Sequence, residues 1–206
     1  MPSDSKKKRK TTTEEKRRLI LHAAVRVFAQ KGFHRCRISD IASEAKVAYG
    51  LVYHYFDNKE AILNSIFDEN WGLLSQLIDT VEQEPGGLEH KLLRIVSFIL
   101  DAYQLAPEII QVMVMEIARS SKFLKRPKIE AFERAFVRLS EVLAQHQERG
   151  EIKPDLDPKF MAYAFFGIIE LVLTGYLLGT LQPGRGDDDE LKSHMVYMFL
   201  DGIRTA

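Results

Sequence analysis

The residues of this 206-residue chain best suited to chemistry lie between Arg37 and Lys59. Ser39, Tyr49, Tyr53, His54 and Tyr55 supply hydroxyl and imidazole groups there, Arg37 and Lys59 supply cations, Gly50 offers closely approachable backbone, and Leu51 is apolar. Such a set suits a nucleic acid: tyrosine hydroxyls, a histidine and a lysine at a helix start bind phosphates, while Tyr49 and Leu51 offer contacts to base edges or a thymine methyl. Catalysis finds no comparable set. His22, His34, His54, His90, His146 and His194 are scattered, Cys36 is the sole cysteine, and neither a Gly-rich phosphate loop nor a paired-carboxylate motif is present. The chain is therefore not expected to be an enzyme. His54 has no second His or Cys at ligand spacing, so no metal and no cofactor are expected, and one cysteine excludes a disulfide framework.

Charge supports the nucleic-acid reading once it is divided. The chain carries 29 Lys plus Arg and 29 Asp plus Glu, a net charge of zero. Residues 1–60 hold 14 basic and 7 acidic side chains, or +7, whereas residues 61–206 hold 15 and 22, or −7. A basic head on an acidic body is the distribution of a protein that binds a polyanion at one end and does other work at the other. The run Lys6–Lys10 lies in a 1–12 segment read as a disordered arm, able to neutralise phosphates or enter a minor groove. Residues 1–20 lack the apolar stretch of a secretory signal, and the cytoplasm is the expected compartment.

The elements that must position these residues read as helices throughout. Ile20, Ala23, Ala24, Val27 and Phe28 form one stripe of a helix over 13–31, which Thr12 and Glu15 start and Gly32 stops. Two pieces of about two turns, 38–45 and 49–56, are separated by Lys46-Val47-Ala48, the arithmetic of a helix-turn-helix. Asn58 caps a long helix to Gln83, followed by helices over 88–105, 107–120, 127–150, 158–181 and 187–204. The domains are thus 13–63 for the head and 64–206 for the body. Phe160–Leu181 is long enough to span a bilayer and includes the spacing Gly175-x3-Gly179. Glu170 near its centre would cost about 2.5–3.5 kcal/mol there, so a buried helix at a dimer interface is preferred to a membrane-associated adaptor.

The string Asp40-Ile41-Ala42, Val47, Tyr53-His54-Tyr55-Phe56 and Asn58-Lys59-Glu60 resembles the DNA-binding domain of TetR-family transcriptional regulators. The resemblance implies an all-α protein, with a three-helix DNA-binding head and a helical ligand-binding and dimerisation body. It implies a homodimeric repressor on an inverted-repeat operator in double-stranded DNA, with an activator or dual regulator as the alternative. By the same resemblance Ser39, Tyr49, Gly50 and Tyr53 are candidates for base contact, Arg37, Tyr55 and Lys59 for phosphates, and His54 for either; Leu51 joins them as an apolar contact. The chain departs from the family pattern at Cys36 and Arg37, and at Lys46, Ala48 and Leu51, where many members have Gly, Ser and Thr. A missing Gly at a left-handed turn position costs about 1 kcal/mol.

In the body, Phe98, Tyr103, Met113, Met115, Phe132, Phe136, Phe165 and Ile169 are the expected lining of a ligand cavity, with Glu116, Arg119 and Glu170 as charges set among apolar neighbours. The basic stretch Arg119–Lys128 adjoins them, so a ligand with a hydrocarbon tail and an anionic head suits both. Glu116-Ile117-Ala118-Arg119, Gly150-Glu151-Ile152-Lys153 and Phe166–Glu170 also resemble the branch of the family that regulates fatty-acid degradation, which implies a long-chain acyl-CoA as the hydrophobic effector.

Overall fold

The computed structural model describes residues 3–119, 130–183 and 188–205, with side chains at 13–115, 130–183 and 189–205. Nine helices are found among them: α1 Ser3–Lys31, α2 Ile38–Glu44, α3 Tyr49–Tyr55, α4 Lys59–Gln83, α5 Leu88–Leu105, α6 Pro107–Arg119, α7 Glu130–Glu148, α8 Pro158–Leu178 and α9 Asp188–Ile203. The only extended pairing among the described residues is an isolated bridge from Ile152 to Arg204. Helical backbone continues to Ser3, ten residues before the start expected at Thr13, because nothing between 3 and 12 is a Gly or Pro that would break it. Side chains of the 1–12 arm, Glu116 and Arg119, and the 120–129 part of the basic stretch lie outside the described residues.

Local chemistry accounts for the ends. The Asp40 carboxylate accepts from the Arg37 N–H at 2.8 Å and starts α2, Asn58 Oδ1 accepts from Ala61 N at 2.8 Å and starts α4, and Asp157 accepts from Lys159 N at 2.7 Å ahead of α8. Gly32 and Gly179 close α1 and α8 at φ +75° and +70°, conformations that a Cβ disfavours. The four carbonyls at the C-terminus of a helix lack partners of their own. At the end of α4 the ammonium of Lys91 serves them, donating to the carbonyls of Val81, Glu82 and Glu84 at 2.6, 2.9 and 2.9 Å, which explains a lysine only 5% exposed.

Two hydrophobic cores result. The head core joins Ile20, Ala24 and Phe28 of α1, Ile41 of α2, Val52 of α3 and Ile62, Ile66 and Phe67 of α4; Val112 and Met113 of α6 complete it. The body core joins α4 from Leu74 onward with α5 and α7–α9, and Trp71 packs against both. The head core therefore extends beyond residue 63 into α4 and borrows from α6. Ion pairs brace the seams: Lys31–Asp40 at 2.8 Å and Arg26–Glu44 at 2.6 Å hold α2 to α1, while Arg138 of α7 grips Asp79 and Glu82 of α4 at 2.6 Å each and Glu141 beside it.

Among the described residues, α8 alone is by itself long and apolar enough to cross a membrane, but its inner face is core: Met161, Ala162, Phe165, Ile169 and Leu173 are at most 4% exposed. The Gly175/Gly179 spacing has a local purpose. Thr180 and Leu181 fold back so that their N–H groups reach the Gly175 carbonyl at 3.0 and 3.1 Å, and a Cβ at 175 would meet Leu181 Cδ1 at 2.6 Å.

Candidate functional site

The head presents one exposed ridge. In α3 Val52 alone is buried, which turns Tyr49, Gly50, Tyr53 and His54 outward; Leu51 and Tyr55 lie at the flanks, half-buried. The Tyr49 and Tyr53 rings meet edge-on at 5.2 Å with hydroxyls 3.2 Å apart, forming one unit across a helical turn. That contact holds the Tyr53 hydroxyl above its usual pKa. A Cβ at Gly50 would meet nothing within 4 Å, and its φ is not positive, so the fold does not require glycine there. Ser39 is exposed on α2, and Arg37, at its N-cap, is exposed beside it.

Two residues expected on phosphates, Lys59 and Tyr55, are half-buried and have partners inside the head. Lys59 donates to the carbonyls of Phe33 and Cys36 at 2.5 and 2.9 Å, and its ammonium lies 4.5 Å from the centroid of the Phe33 ring. This clamps the α1–α2 loop, whose carbonyls have left one helix and not yet entered the next. Tyr55 packs against the head core, with its ring 5.1 Å from that of His54. Burial beneath the clamp pushes the Cys36 thiol up to about 11, against the lowering effect of the nearby Lys59 charge. The turn between α2 and α3 places Lys46 at φ +54°, the left-handed position anticipated from its place in the pattern.

The body holds an apolar cavity of about 570 Å³ between α4, α5, α6, α7 and α8. Of the residues expected to line it, Phe98, Met113, Phe132, Phe136, Ile169 and Glu170 do so. Phe165 does not: one residue round α8 from Phe166, it points to α9, where its ring is 5.1 Å from Phe199. Nor does Tyr103, whose ring lies 5.3 Å from that of Tyr176. Met115 is half-buried and outside the lining. Glu170 is not a buried charge, because it sits on the solvent side of α8 at the cavity edge. The sequence reading missed Asn70, Trp71, Ile109, Tyr163 and Phe166. Trp71 carried a usable signal, since the one tryptophan of the chain stands in phase with Phe67, Leu74 and Ile78 on α4.

Cavity and head core share an element. Ile109 and Met113 of α6 line the cavity and also pack on the head core, and Gln111 donates to the Ala29 carbonyl of α1 at 3.1 Å. The chain bends by 111° between α5 and α6, so α6 runs under the cavity and across to α1.

A helix-turn-helix head mounted on a helical body with an apolar cavity defines a DNA-binding regulator with a ligand-sensing domain. Residues 20–66 match the family described as bacterial regulatory proteins, tetR family, and residues 89–199 match the tetracyclin repressor-like C-terminal domain. The chain belongs to the TetR family of transcriptional regulators. It is 31% identical over 160 residues to the fatty acid metabolism regulator protein of Bacillus subtilis (strain 168), covering 77% of this chain and 82% of that protein. The fatty acid degradation regulator FadR from Bacillus halodurans superposes with a TM-score of 0.81 at 28% identity, over 93% of this chain and 97% of that one. FadR from Bacillus subtilis, solved in complex with stearoyl-CoA, gives 0.79 at 29% identity, over 90% and 98%.

Proposed function

We propose that the protein is a homodimeric repressor, working in the cytoplasm and not as an enzyme, that leaves an inverted-repeat operator when a long-chain acyl-CoA enters the body. The observation that carries this reading is the double role of α6. Ile109 and Met113 touch both the cavity and the head core, so a ligand that displaces them moves the head as well. The acyl chain suits a cavity whose lining is overwhelmingly apolar, and the likeness to a regulator solved with stearoyl-CoA supports the same class. The exposed apolar side of α8, with Phe160 at 65%, Leu171 at 72% and Leu178 at 63%, together with Met198 of α9, suits a twofold interface.

On DNA, the Tyr49–Tyr53 unit, Gly50, Ser39 and His54 face the major groove, Leu51 reaches a thymine methyl from the flank, and Arg37 meets the backbone. Tyr55 and Lys59 hold that surface in place from behind. Ligand binding need only favour the head spacing that misfits the operator, and operator and ligand affinities then oppose each other by the same factor.

The test is selection of bound DNA from a random pool, followed by operator titrations with and without stearoyl-CoA. An inverted repeat whose affinity falls at least tenfold with ligand is the expected result. No enriched sequence, with binding governed by salt alone, would refute specific DNA recognition; an enriched repeat indifferent to acyl-CoA would refute the effector.

A further inference from the structure

Trp71 is the point where head core, body core and cavity meet. Its ring stands edge-on to Phe132 at 4.8 Å and lies 5.9 Å from Phe136 and 6.1 Å from Phe166, so three aromatic walls of the cavity surround the indole. Its Nε1 is buried and has no hydrogen-bond partner among the described residues. The other polar groups of the lining are differently placed. Asn70 Nδ2 donates to the Ile66 carbonyl at 2.7 Å, and Tyr163 and Glu170 are on the exposed side of α8.

A buried N–H without an acceptor is costly, and an indole offers a donor only. A plain apolar side chain at 71 would fill the same space at no such cost, so the position makes sense if the ligand brings the acceptor. A hydrocarbon tail carries none. The last polar atom before the tail of an acyl-CoA is the thioester carbonyl oxygen. Resting on the effector reading above, we propose that an entering acyl-CoA parts the side chains that now cover Trp71 Nε1 and that its N–H then donates to that carbonyl, making Trp71 the residue that distinguishes an acyl thioester from other long-chain amphiphiles. The bond would fix the depth at which the tail enters, and a two-atom shift along the chain would cost the contact.

The experiment compares stearoyl-CoA with S-octadecyl-CoA, the thioether that keeps the tail, the pantetheine amides and the phosphates but lacks the thioester carbonyl. Calorimetric titration of the wild-type dimer should give about fivefold tighter binding of the thioester, the value of one neutral hydrogen bond. Trp71→Phe should bind both ligands equally, with the wild-type affinity for the thioether. Because Trp71 is the one tryptophan in the chain, the ultraviolet resonance Raman band of the indole N–H reports the bond in unaltered protein. That band should shift with stearoyl-CoA and stay still with S-octadecyl-CoA, a readout that stands if Trp71→Phe folds poorly. Equal wild-type affinities, a ratio kept in Trp71→Phe, or a Raman shift with both ligands would overturn the proposal while leaving acyl-CoA as effector. Binding of neither ligand would remove the effector reading and this one with it.

Discussion

Replacing Lys59 with Met separates two roles that the residue type alone cannot. Methionine keeps most of the aliphatic stem but leaves the Phe33 and Cys36 carbonyls without their shared donor and removes the cation from the Phe33 ring. Hydrogen bonds to a charged group are worth about 1.5–3 kcal/mol each when buried. Here the site is half-open and water recovers part of that, so the two bonds together come to about 2 kcal/mol, and the cation–π contact adds about 0.5 kcal/mol. The head should lose about 2–3 kcal/mol of stability, read by urea unfolding and by faster amide exchange in the 32–37 loop. Operator affinity, measured under conditions where the variant is folded, should keep its dependence on salt. A lysine on a phosphate would instead lower the slope of log K against log salt by about 0.9 on its removal. Stability unchanged within about 0.5 kcal/mol, with the slope reduced by that amount, would show that Lys59 belongs to the DNA and not to the loop.

Gly50→Ala should leave stability equal or slightly higher, since nothing lies within 4 Å of the added Cβ, yet lower operator affinity about tenfold by holding α3 off the groove, as fluorescence anisotropy would show. Lys46→Gly should stabilise the head by about 1 kcal/mol by relieving the φ of +54°, and a lower unfolding midpoint would contradict the strain. The Asp40 carboxyl is held below its usual 3.8 by the Lys31 ammonium and the Arg37 N–H. Its contribution is therefore complete above pH 3.8 and is lost as pH falls through the lowered value; Asp40→Asn should flatten that acid limb of the stability profile. Cys36, with its thiol raised to about 11, should react with iodoacetamide only when the head opens, so that labelling slows whenever operator DNA is bound.

How far the sequence reached is best judged residue by residue. The short helices at 38 and 49 were legible because Ile38, Ile41, Ala42, Val52 and Phe56 repeat at helical spacing and all are buried. Lys46 was legible as a left-handed residue because it stands where many members of the resembled family have Gly. The inward bonds of Lys59 were not, since a flexible four-carbon stem can turn its ammonium either way and the sequence does not show that the carbonyls of Phe33 and Cys36 lie within its reach. In the body, Phe165 and Phe166 are chemically identical neighbours, and about 100° of helical rotation sends one to α9 and the other to the cavity. Periodicity finds the apolar face of α8 but not which neighbour each side of that face meets. Trp71 was legible as an inward-facing residue of α4, but its place in the cavity comes from the rings that α7 and α8 bring to it.

The junction of the two cores also limits how this protein can be recombined. Residues 13–63 read as a self-contained unit, yet their core is closed by Val112 and Met113, which arrive from α6 some fifty positions later and are 2% and 9% exposed. A hybrid regulator made by cutting within α4 and attaching a foreign body would lose those two side chains and present the inner face of α1 to whatever replaced them. Specificity for DNA is thus not a detachable cassette here, and an exchange of heads succeeds only if the matching face of α6 travels with it.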